Sequence, residues 1–196
     1  MAMQLKTSHK VGGAVSAAAL LGASMYAAII NQNVTFTPTW EGMDKVARFD
    51  KIGTGHPLTW CYGQTPADAS GVKPGQKFTK AECDVQIAKS LPKYLDGVVS
   101  CYRGPLDPKS IPVKVWTALT DAAYNAGNGA VCKSPMMARL NAGDLPGACN
   151  AFTGWYVRSA GVVRPGLIAR RSGRPGDARK SERDLCREGI KEGAFR

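Results

Sequence analysis

Hydrophobic and polar positions divide the chain into stretches of different texture. Val11 to Ile30 (VGGAVSAAALLGASMYAAII) runs for twenty residues without a charge, just after Lys6 and Lys10. About 20 apolar residues span a bilayer core as a helix, and the positive flank sets the N-terminus in the cytoplasm and the rest outside. A cleaved export signal has a shorter apolar core, about 7–15 residues, followed by a small-residue cleavage site. The best site here, around Tyr26-Ala27-Ala28, is poor, so the segment reads as uncleaved. Twelve of its twenty residues are Gly, Ala or Ser, which contribute little to insertion compared with Leu or Ile. Such a span sits in a membrane marginally and can leave it; alternatively its small residues pack against another helix.

The polar link Asn31-Gln32-Asn33 closes this segment, and the pattern of a soluble domain begins. Residues 1–33 therefore read as a membrane-associated appendage and residues 34–196 as one domain. Thr37-Pro38 has the form of a cap and first helical position. Trp40, Met43, Val46 and Ala47 follow at helical spacing, which predicts a helix to about Phe49. Glycines and prolines break up residues 50–76, where Leu58-Thr59-Trp60-Cys61-Tyr62 predicts a short strand or hairpin. Thr79-Lys80-Ala81-Glu82 has the form of a capping box opening a long helix through Ile87 and Leu91. Val113 to Ala126 reads as a buried helix, with shorter helical stretches at Pro135–Asn141, Leu145–Trp155 and Gly166–Arg171. The predicted class is α+β, mostly helical, with one small β region near the start of the domain.

Composition narrows the setting. The chain of 196 residues carries 26 Lys+Arg against 15 Asp+Glu, a formal net charge of +11, which points to an anionic partner. Residues 158–196 alone hold eleven basic against five acidic residues. The hydrophobic share of 44% excludes a wholly disordered chain. Six cysteines, with no CxxC and only His9 and His56 as possible imidazole ligands, argue for disulfides in an oxidising compartment and against a zinc site. Which cysteines pair is left open by the sequence. No metal or cofactor is expected.

Candidate chemistry begins at Glu41, with Asp50 after eight intervening residues and Thr59 on the predicted strand. A carboxylic acid, a carboxylate and a hydroxyl gathered between a helix and a hairpin can cleave a glycosidic bond: one carboxyl protonates the leaving oxygen, and the other stabilises the cationic sugar or activates water. Partial burial beside Trp40 is the kind of setting that keeps an acid protonated. Spacing alone carries little weight, because two acids so placed are usually solvated.

The neighbouring strings carry more. Trp40-Glu41-Gly42, Phe49-Asp50 and Thr59-Trp60-Cys61-Tyr62-Gly63-Gln64-Thr65 resemble the phage-type lysozymes of glycoside hydrolase family 24. Further strings agree in order: Thr79 to Cys83, Tyr124-Asn125-Ala126-Gly127, Leu140 to Gly143, Trp155, Arg170-Arg171, and Glu182 with Leu185-Cys186. The resemblance covers about residues 36–188. It implies a lysozyme-like fold and hydrolysis of the β-1,4 bond between N-acetylmuramic acid and N-acetylglucosamine in peptidoglycan. It also implies Glu41 as general acid, Asp50 as second carboxylate and Thr59 as the hydroxyl that positions water or supports Asp50. Three departures stand out: a lengthened loop between Asp50 and Thr59, Gln64 in place of the family's His, and an inserted basic stretch, Arg174 to Ser181 (RPGDARKS), that reads as an exposed loop. His56, Tyr124 and Asn125 are weaker candidates for substrate contact. Arg170-Arg171 read as partners of internal acids, and Trp116 and Trp155 as core.

A lysozyme with a weakly apolar, uncleaved N-terminal span is similar to the signal-arrest-release endolysins. This implies a monomer exported by the host and tethered to the inner membrane through Val11–Ile30, facing the periplasm, then released into it to lyse the cell. No cysteine precedes Cys61, so release by disulfide exchange with the segment is closed. Rival readings are a lytic transglycosylase, which needs only one acid, and a non-catalytic basic wall- or membrane-binding protein. Export argues against nucleic acid as the partner.

Overall fold

The computed structural model describes residues 16–51, 55–159 and 161–193. The expected membrane span lies partly outside them, at Val11–Val15. From Ser16 onward the segment is two helices, α1 (Ala17–Leu21) and α2 (Ala23–Phe36), broken at Gly22, whose φ of +78° favours a residue without a side chain. Among the described residues no helix is long and apolar enough to cross a membrane. The polar link Asn31–Asn33 lies inside α2, not after a helix: Asn33 is fully buried and its amide donates to the Ile29 carbonyl at 3.0 Å.

The segment packs on the domain through one stripe. Ala17, Leu21, Met25, Ile29, Asn33 and Thr37 recur every four residues and are all buried. A spacing of four keeps side chains on nearly the same helix face. The stripe rests on α4 (Lys80–Val99) and α5 (Val113–Ala126). Burying each of Leu21, Met25 and Ile29 contributes about 1.5–3 kcal/mol. Polar contacts set the register: Thr117 donates to Gln32 Oε1 at 2.8 Å, and the Tyr26 hydroxyl to Asp96 at 3.0 Å.

The helix expected from Thr37 to Phe49 is corrected. Helix α3 covers only Pro38–Glu41 and stops at Gly42 (φ +62°). Asp44–Phe49 is a strand, β1, antiparallel to β2 (Leu58–Cys61). The apolar spacing suited a helix, but pairing with β2 on one edge and with residues 75–78 on the other supplies the backbone partners instead. Only Ala47 of β1 is buried.

The remaining expectations fare better. Thr79 caps α4 reciprocally with Glu82, whose backbone N–H lies 3.2 Å from Thr79 Oγ1 while Thr79 N–H donates to Glu82 Oε2 at 2.7 Å. Helix α5 covers the predicted span, with Val115, Trp116 and Leu119 almost fully excluded from solvent. Short helices α6 (Asn128–Cys132), α7 (Pro135–Asn141) and α8 (Leu145–Asn150) follow. Helix α8 ends before Trp155 because turns take over after Asn150. A hairpin of β3 (Arg158–Ser159) and β4 (Val162–Val163) leads to α9 (Pro165–Ser172). Helix α10 (Glu182–Glu192), which the sequence reading leaves unplaced, packs on α5 and α8.

The core has two parts bridged by α4. Ile87 and Leu91 join Trp60 and Phe78 beneath the hairpin, and Leu95 and Val98 join the α2–α5 core. Disulfides link Cys61 to Cys83, Cys101 to Cys132 and Cys149 to Cys186. The first ties the hairpin to α4, and the last ties α8 to α10.

Candidate active site

Glu41 is the last residue of α3, a helix with no buried residue of its own. Its orientation comes from elsewhere. Arg170 on α9 donates through Nη1 to Glu41 Oε1 at 2.5 Å, while its Nε and Nη2 fork onto Asp121 of α5 at 3.0 and 2.9 Å. Planar bidentate pairing of this kind fixes direction as well as distance. The other oxygen, Oε2, faces Gly63, where an added Cβ would stand 3.6 Å away.

Behind this contact lies a buried charge cluster. Arg171 pairs with Glu182, and Arg170 Nε lies 3.4 Å from the same carboxylate. Burial depresses a guanidinium's pKa, but Asp121, Glu41 and Glu182 together hold Arg170 above its ordinary value. Burial pushes the Glu182 carboxyl up to about 8, against the opposing pull of Arg171.

Glu41 opens into a cavity of about 300 Å³ lined by Met43, Asp44, Arg48, Thr59 and Gly63. A second cavity, of about 370 Å³, is lined by Asp50 with Phe49, Lys51, Asp44, Arg48 and Thr59. Asp44 and Arg48 border both, and so does Thr59. Register places it there: Arg48 is opposite Thr59, and an irregularity between Asp44 and Arg48 turns β1 at the cleft. The Thr59 hydroxyl donates to the Arg48 carbonyl at 3.3 Å.

Asp50 follows β1 directly. Its N–H donates to the Pro57 carbonyl at 2.9 Å, and His56 Nδ1 lies 2.9 Å from the Asp50 carbonyl. His56 therefore braces the loop, and among the described residues it borders neither cavity. Tyr124 and Asn125 are also turned inward. The Tyr124 hydroxyl donates to the Tyr62 carbonyl at 2.7 Å, and Asn125 Oδ1 accepts from Arg171 at 2.6 Å. Trp116 is fully buried, and the Trp155 ring lies under Arg171 at 5.0 Å.

The sequence reading missed Asp44 and Arg48, which pair with each other at the mouth. The apolar spacing around them predicts a helix, and they reach the cleft through the strand register with β2.

The phage lysozyme family profile matches residues 38–174. The chain belongs to the phage lysozyme family. It is 30% identical over 186 residues to the SAR-endolysin of Bacteriophage PS119, covering 95% of this chain and 97% of that protein. It is also 33% identical over 159 residues to the SAR-endolysin of Escherichia phage 933W, covering 81% and 83% respectively. Among solved structures it is similar to the endolysin from Escherichia coli O157:H7 phage FAHEc1, with a TM-score of 0.62 and 25% identity over 79% of this chain and 90% of that one. In this phage lysozyme, family membership and a helical fold with a small two-stranded sheet near the start agree with the expectation from sequence, and the β3–β4 hairpin is a second β element that the expectation lacks.

Proposed function

We propose that this protein is an endolysin that hydrolyses the glycosidic bond between N-acetylmuramic acid and N-acetylglucosamine, with Glu41, Asp50 and Thr59 as its working residues. The observation that carries the reading is the pair of adjoining cavities, with Glu41 in one, Asp50 in the other and Thr59 bordering both. Arg170 occupies Glu41 Oε1, so the proton for the leaving oxygen travels through Oε2, the oxygen beside Gly63. As that proton transfers, the bond from the anomeric carbon to the leaving oxygen breaks and positive charge grows on the sugar ring. The Asp50 carboxylate stabilises that charge, water supplies the incoming oxygen and yields its proton to a carboxylate of the pair, and Thr59 holds the water or the carboxylate.

The test is turbidity clearance of purified peptidoglycan. Glu41→Gln lowers the rate by about 10²–10⁴-fold, the range for losing a general acid, and full lysis by the variant refutes the assignment. Reducing sugar ends identify hydrolysis, whereas anhydro ends identify a transglycosylase.

The N-terminal segment is read with it. We infer that Val11–Ile30 holds the exported chain at the inner membrane before release, as the names of the relatives and the marginal apolarity of the span support. Leu21, Met25 and Ile29 face the domain core in the described structure. The same side chains are unable to face lipid at the same time, so departure from the bilayer and completion of the fold are one event. Fractionation before and after depolarisation tests this: a chain that stays wholly in membranes refutes release.

A further inference from the structure

Helix α3 carries Glu41 and has no fully buried residue, and Arg170 reaches Glu41 only at its carboxylate. The half-buried Trp40, the residue before Glu41, takes a further contact. The inserted stretch between α9 and α10 provides it. Arg179 lays its guanidinium over the Trp40 ring, 4.1 Å from the centroid, and its Nη1 lies 3.4 Å from the Thr39 carbonyl. Asp177 holds the guanidinium in place, accepting from Nε at 2.9 Å and from Nη2 at 2.6 Å, with the Arg179 backbone N–H on the same carboxylate at 3.0 Å. That company keeps the Asp177 carboxyl down at about 2. On its other side the Trp40 indole has its Nε1 buried with no hydrogen-bond partner among the described residues. The ring is therefore held by stacking and not by its polar end.

The family profile match ends at residue 174, where the stretch begins. We propose that Arg179 is a positioning residue for Glu41, clamping Trp40 from outside while Arg170 grips the carboxylate from inside. The proposal rests on Glu41 being the acid. Cation–π contacts at partly exposed sites are individually modest, but a misplacement of about 1 Å at a reacting group costs about 100-fold in rate. A clamp with little effect on stability thus has a large effect on turnover.

The experiment is steady-state hydrolysis of a soluble peptidoglycan oligomer by the full chain, with melting temperature measured alongside. Arg179→Ala lowers kcat by about tenfold with KM within twofold and the melting temperature little changed. Arg179→Lys, which keeps a cation over the indole but loses the fork to Asp177, recovers part of the lost kcat. Asp177→Asn lowers kcat in the same direction and by less. Wild-type kcat in Arg179→Ala overturns the proposal, as does a fall in kcat explained by unfolding or matched by an equal rise in KM. If Glu41→Gln is itself active, the acid assignment fails instead, so the two failures are told apart.

Discussion

The two walls of the cleft are built on opposite plans. The Glu41 wall is locked: its carboxylate is held by a buried guanidinium, which is held in turn by Asp121 and Glu182, and α2 leads into it from a stripe of fully buried side chains. The Asp50 wall is a two-stranded hairpin at the surface, with Phe49 60% exposed and the loop beyond closed by backbone contacts to Pro57 and His56. A proton donor must meet one lone pair in one direction, so its direction is overdetermined by the fold. A carboxylate opposing a diffuse positive charge tolerates more play. The difference teaches where mutations will be felt.

The locked wall breaks most severely at Arg170. Arg170→Met removes the shared partner of Glu41, Asp121 and Glu182 and leaves buried carboxylates uncompensated; the expected loss is about 3–5 kcal/mol of stability in denaturant unfolding, with activity lost alongside. Stability near wild type would refute the central role given to this residue. Next comes the foundation under α3. Ile29→Ala opens a cavity between α2 and the α4–α5 pair and costs about 2–4 kcal/mol. A loss below about 1 kcal/mol would mean that α2 does not dock in solution as described.

The third effect is a slope with pH. Below the ordinary carboxylate range Glu182 is protonated in both folded and unfolded chains. Between that range and about 8 the folded protein keeps a proton that the unfolded chain has released. Stability from this group therefore falls as pH rises through that window, and Glu182→Gln flattens the slope of melting temperature against pH. The smallest effect belongs to the soft wall: His56→Ala changes stability by less than about 0.5 kcal/mol and leaves turnover within twofold, because its ring meets a loop carbonyl. A tenfold loss of turnover would promote His56 to a substrate contact.

Most helices were legible because capping and periodicity are local. Thr79 with Glu82 announces α4, and the continuous apolar face from Val115 to Ala123 announces α5. The hairpin half of the cleft is hidden at β1, since Trp40, Met43, Val46 and Ala47 fit a helix when the partner strand is out of view. The positions of Glu41, Asp50 and Thr59 along the chain were visible, but Asp44 and Arg48 were not, because they reach the cleft only through a register with β2.

What the sequence determined by itself is the family, through ordered motifs, and the export-like segment, through an uncharged run. What tertiary structure alone decided is how those parts meet. The run from Ala17 to Thr37 presents a stripe every four residues that becomes meaningful only against α4 and α5. Arg179 lies well over a hundred residues from Trp40 in the chain, yet its guanidinium covers that ring. Local periodicity is written in neighbouring residues, whereas ion pairs, ring contacts and strand register join residues that no local pattern connects.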